Sequence, residues 1–111
     1  MIRAPTQAPV VTQTRAFGAR VLQVTWTSVT STSTNPVAGY RVKAGTVNSN
    51  NVAVAFVEEI NPDLTSFIFH GLSPYQYHGT PGVTYTVSVL AFNEAGDGPV
   101  SDTQAVVLPR E

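Results

Sequence analysis

A chain of 111 residues, 42% hydrophobic and only 12% charged, with a formal net charge of −1 and no cysteine, has room for one packed core. Those figures exclude disulfides and thiolate metal sites, and they leave no clustered basic field to neutralise phosphates, so nucleic acid is not an expected partner. No run of about 18 apolar residues is present to span a bilayer, and Met1-Ile2-Arg3-Ala4-Pro5 lacks the apolar stretch of a secretion signal, so no direct membrane insertion is expected.

Apolar residues recur with period two and not with helical spacing, and Gly, Pro, Asn and Ser/Thr clusters break the pattern at short intervals, which predicts an all-β protein. Ala4 to Pro9 carries two prolines that cannot donate to a ladder, so residues 1–8 read as an incoming linker and irregular edge, with Val10 to Thr14 the pairable part of a first strand. Leu22, Val24 and Trp26 alternate with Gln23, Thr25 and Thr27 in the second. A Ser/Thr-rich loop runs from Ser28 to Ala38. The third strand starts near Gly39, with Tyr40, Val42 and Ala44 on one side and Arg41 and Lys43 on the other. After the turn signal Asn48-Ser49-Asn50-Asn51 comes a strand from Val52 to Glu59, whose inward face the pattern leaves open.

Asn61-Pro62-Asp63 turns the chain into a strand in which Phe67 and Phe69 alternate with Ile68 and His70, closed by Gly71-Leu72-Ser73-Pro74. The strongest element is Val83 to Asn93, where Val83, Tyr85, Val87, Val89 and Ala91 share one face. A tight loop, Glu94 to Pro99, is expected next, in which Asp97 reads as a turn residue, and a last strand from about Thr103 to Val107. The expected core comprises Leu22, Val24, Trp26, Tyr40, Val42, Phe67, Phe69, Leu72, Tyr85, Val87, Val89 and Ala91. Residues 9–108 form the expected domain and 109–111 an outgoing linker.

Four strings stand out: Val21 to Trp26, Gly39-Tyr40-Arg41-Val42, Gly71-Leu72-Ser73-Pro74, and Tyr85 through Ser101. In this order, across nearly the whole chain, they resemble the landmarks of fibronectin type III modules. The resemblance implies a seven-stranded antiparallel immunoglobulin-like β-sandwich, with Trp26 between the sheets and Tyr85 as the structural corner tyrosine. It also implies a non-catalytic protein-interaction and spacer module of a larger cell-adhesion, receptor or matrix protein. Such a module is extracellular or at the cell surface and contacts other proteins, including neighbouring modules of its own chain; the fragment is expected to be monomeric. Two other settings of the family stay open, an intracellular muscle-type structural protein and a spacer in a secreted microbial carbohydrate-active enzyme. Two features depart from the pattern. Leu72 and Tyr85 lie 13 positions apart, several more than is usual, which leaves an inserted segment around Tyr75 to Pro81. The loop after Asn93 has no Arg-Gly-Asp triplet, so integrin chemistry does not carry over.

The inserted segment places Tyr75, Tyr77 and His78 together, a composition that suits either a partner contact or a lid folded onto the sandwich. Leu90 and Phe92 should point outward beside Arg41 and Lys43, which makes them an interface pair or apolar groups covered by cationic stems. His70 and His78 do not form a zinc site by spacing, and the acidic residues contain no calcium-loop pattern. Glu58 and Glu59 fall on opposite faces of a strand and cannot act as an acid/base pair. No nucleophile elbow or phosphate-binding loop is present, so no catalytic, cofactor or metal site is expected. Each asparagine lacks Ser or Thr two places on, so no N-glycan is expected.

Overall fold

β-branched and aromatic residues at every second position, separated by turn formers, assemble as a sandwich of two antiparallel sheets in the computed structural model, which describes residues 1–18, 21–47, 53–70 and 84–107. Every regular element among the described residues is a strand: β1 (Val11–Gly18), β2 (Val21–Trp26), β3 (Gly39–Val47), β4 (Ala53–Ile60), β5 (Ser66–Phe69), β6 (Thr84–Asn93), β7 (Gly96–Val100) and β8 (Gln104–Val107). One sheet has the order β1-β2-β5; the other runs β4-β3-β6-β7, with β8 also on β6.

The expected seven strands are therefore eight segments, because the last strand pairs with β6 twice. Between its two parts Ser101 leaves the ladder without losing its bonds. Its N–H donates to the Val89 carbonyl at 2.8 Å, and its buried hydroxyl accepts the Val89 N–H at 2.9 Å. The expected loop from Glu94 to Pro99 is shorter than its Gly and Pro content suggested. Only Glu94 and Ala95 turn; Gly96 already pairs with Asn93. Asn93 Oδ1 accepts the Ala95 N–H at 2.8 Å, and Gly96 takes a φ of 141°, which side chains rarely adopt, so two residues suffice to reverse the chain. The first strand is longer than Val10 to Thr14, because two register shifts against β2 let pairing continue to Gly18.

The core follows the predicted alternation. Leu22, Val24, Tyr40, Val42, Ala44, Tyr85, Val87, Val89 and Ala91 are fully buried, and Trp26 and Phe69 are nearly so. Phe67 is half-buried and meets Phe69 edge to face, with ring centroids 4.9 Å apart. Val11, Val29 and Ile60 complete the cluster. Trp26 lies 5.6 Å from Tyr40 between ring centroids, and its indole N–H finds no acceptor among the described residues. Ile60, opposite Tyr40, decides the face of β4 that its sequence left open: residues 57 and 59 point outward. Leu72 and Val83 lie outside the described residues.

The first residues are sewn onto one end of the sandwich. The Arg3 N–H donates to the Thr34 carbonyl, Asn35 Nδ2 to the Ala4 carbonyl, and Asn93 Nδ2 to the carbonyls of Arg3 and Pro36. Pro5 and Pro9 are buried. Val107 pairs with Thr84 at the other end of β6, so the chain enters and leaves the sandwich at opposite ends.

Candidate functional site

Side chains that alternate away from the core must meet water or a partner, and the two outer faces of this sandwich differ in what they offer. The outer face of the β1-β2-β5 sheet is polar. Gln13 lies opposite Thr25, Arg15 opposite Gln23, Gln23 opposite Ile68 and Thr25 opposite Ser66, so Ile68 stands among hydrogen-bonding groups. Phe17, on the bulge at the end of β1, is 52% exposed, with the Arg15 guanidinium 4.8 Å from its ring centroid.

The outer face of the larger sheet is mixed. Register places Glu59, Arg41 and Leu90 in one row across β4, β3 and β6, and Val57, Lys43 and Ser88 in the next. Val100 lies opposite Leu90, while Phe92 sits between Gly39 and Asp97. Val57 and Val100 are each more than half exposed, at 53% and 56%; Leu90 and Phe92 are half-buried. Arg41, Lys43, Val57, Ser88, Leu90, Val100 and Thr103 line a shallow depression of about 400 Å³.

Arg41 organises this face. Its Nη2 lies 3.0 Å from Glu59 Oε1, its Nε donates to the same oxygen at 3.1 Å, and its Nη1 pairs with Asp97. The guanidinium also stacks on Phe92, 4.3 Å from the ring centroid. One side chain therefore ties four strands together on the solvent side. Phe92 can lie beneath it because Gly39, its cross-strand partner, has no side chain: a Cβ there would stand 3.0 Å from the ring and 2.7 Å from the Ile60 carbonyl oxygen. Asp97 is thus a strand residue in an ion pair, which corrects the turn role expected of it. Arg41 is neutralised by two carboxylates, whereas Lys43 has no carboxylate partner among the described residues. The result is an apolar pair, Leu90–Val100, with Val57 set apart from it across Lys43 of β3 and the Arg41–Glu59–Asp97 cluster along one side.

Leu90 and Phe92 point outward beside Arg41 and Lys43. The sequence reading missed Val57, Glu59, Asp97 and Val100 as members of this face. Taking Ile60 as inward would have put the odd positions, Glu59 and Val57, on the outer face; Asp97 and Val100 were hidden by turn-like composition. Tyr75, Tyr77 and His78 lie outside the described residues. His70 is exposed, and no group of His, Asp and Glu among the described residues could hold a metal ion. No helix among the described residues is long and apolar enough to cross a membrane.

Comparison with known proteins places this geometry in context. Residues 7–106 match the sequence model of the fibronectin type III domain. The chain is 33% identical over 106 residues to human Protein sidekick-1, covering 91% of this chain but 4% of that protein. Among solved structures, the FN1-FN3 domains of chicken CNTN1 superpose with a TM-score of 0.78 at 25% identity, covering 96% of this chain and 33% of that one. The FN5 domain of Drosophila Lar gives 0.69 at 21% identity, over 97% of this chain and all of that one, a likeness of fold.

Proposed function

The chain belongs to the fibronectin type III family, and from that premise we propose that it is a non-catalytic contact and spacing module of a larger extracellular adhesion, receptor or matrix protein. The observation that carries the reading is the asymmetry of the two outer faces. On the smaller sheet Ile68 stands singly among polar neighbours, whereas on the larger sheet Leu90 and Val100 lie side by side, with Val57 across Lys43, which has no carboxylate partner among the described residues. Leu90 is the anchor, because it lies centrally between Arg41 and Val100 in register and lines the depression. The Arg41–Glu59–Asp97 cluster holds the surrounding strands so that this surface is presented without reordering.

The spacing role rests on entry and exit at opposite ends of β6. Ten residues at about 3.3 Å each set neighbouring modules on the order of 30 Å apart along the chain. Enzymatic work has no support in the side chains described.

Fluorescent multimers of the module should bind cells saturably, and the binding should disappear after the cells are treated with protease. Leu90→Asp should weaken binding at least about tenfold by placing a charge in an apolar contact. Ile68→Asp, on the polar sheet, should not. Equal loss for both variants, or binding that survives protease, would refute the contact face.

A further inference from the structure

A strand at the rim of a sheet presents a row of unpaired N–H and C=O groups, and folded proteins block such rows with bulges, prolines, charged side chains, short strands or covering segments. Three of the four rims here carry such a device. β1 has two register shifts. β5 is only four residues long. The β7–β8 rim has a bulge, contains Pro99 and is interrupted at residues 101–103. Among the described residues β4 has only two charges, Glu58 and Glu59, gathered at one end, which leaves residues 53–57 without such a device. Its eight residues, Ala53 to Ile60, pair with β3 without a shift from Val47↔Ala53 to Tyr40↔Ile60, and contain no proline, glycine or lysine. Among the described residues β4 pairs with no other strand.

We propose that β4 is a self-association edge, taking the β4 of a second copy of this chain antiparallel about a two-fold axis at Phe56 and joining two five-stranded sheets into one. Charge selects this occupant and this register. The strand's two charges, Glu58 and Glu59, are both acidic and lie near one end. Parallel pairing in register would set each glutamate opposite its own copy. Antiparallel pairing about Val57 would make the two Glu58 residues diagonal neighbours, roughly 7–8 Å apart. Centring on Phe56 puts Glu58 opposite Val54 and Glu59 opposite Ala53, so no like charges meet and residues 53–59 all find partners. A strand equally apolar at its other end is the complement that each acidic end lacks repulsion against, and this chain supplies it to itself. The inference departs from the monomer expected from the sequence. It uses the backbone rim of the sheet, whereas the contact reading uses the outer face; Val57 belongs to both, so exchange protection of the β4 amides is the readout that separates them.

Sedimentation equilibrium from micromolar to millimolar chain should show the mass rising from 11.8 kDa toward twice that value. Amide hydrogen exchange should slow with concentration at alternate residues of β4 and nowhere else to the same degree. Val57→Glu should weaken association at least about tenfold, because the new carboxylates become diagonal neighbours across the axis. Val57 is 53% exposed and opposite Lys43, so this change offers its own chain an ion pair and should leave the melting temperature unchanged. A mass that stays at 11.8 kDa throughout, protection that grows along another strand, or a Val57→Glu variant that dimerises as tightly as the parent would each overturn the proposal. The exchange measurement needs no variant, so a folding defect in Val57→Glu does not leave the question open.

Discussion

Replacing Tyr40 with Phe isolates one buried hydrogen bond. The Val29 N–H donates to the Tyr40 hydroxyl at 2.8 Å, with Tyr40 1% and Val29 6% exposed. Phenylalanine keeps the ring and its tilted contact with Trp26, so packing changes little while a buried donor loses its acceptor. Orphaning a buried amide costs about 1–3 kcal/mol, which for a domain near this size lowers the melting temperature by about 4–12 °C. Urea unfolding followed by the fluorescence of the single Trp26 measures the loss directly. The midpoint should fall with the slope unchanged, because the surface exposed on unfolding stays the same. A loss below about 0.5 kcal/mol, within the range of an inert surface change, would show that the hydroxyl does not hold the loop after β2.

Two further substitutions probe the face and the end of the sandwich. Gly39→Ala should cost about 1–3 kcal/mol by overpacking and should shift the aromatic resonances of Phe92, since the new methyl meets the ring at 3.0 Å and a backbone oxygen at 2.7 Å. Unchanged stability and spectra would mean that Phe92 does not lie across Gly39. Asn93→Ala removes the donor to Arg3 and Pro36 and the acceptor for Ala95. Proteolysis near Arg3 and amide exchange at Ala95 should both accelerate, with a stability loss of about 1–3 kcal/mol; protection equal to the parent would show that the first residues are held by other contacts.

Strands with both an inward and an outward set of residues were readable from sequence. Leu22, Val24 and Trp26 in β2, and Tyr85 through Ala91 in β6, alternate so regularly that a one-residue slip would bury Gln23 or Thr86. The outward placement of Leu90 and Phe92 followed from the same alternation. What stayed hidden depends on register between strands distant in sequence. Nothing local says that Arg41 stands between Glu59, 18 positions away, and Asp97, 56 away. β7 was obscured for a different reason: Gly96, Gly98 and Pro99 are turn formers by propensity, and pairing with β6 overrides that preference. Gly98 is tolerated in the strand because Pro5 packs against it, its carbonyl oxygen 2.8 Å from where a Cβ would sit. The bulge between Leu90 and Phe92, which brings Asp97 under Arg41, likewise needs the three-dimensional pairing to be seen.

The most direct test of the contact face places a photo-crosslinking residue at position 90 or at position 68, one on each outer face, and irradiates the module on intact cells. Protein adducts formed from position 90 and absent from position 68 are the predicted result; adducts from position 68 alone, or equally from both, would contradict it.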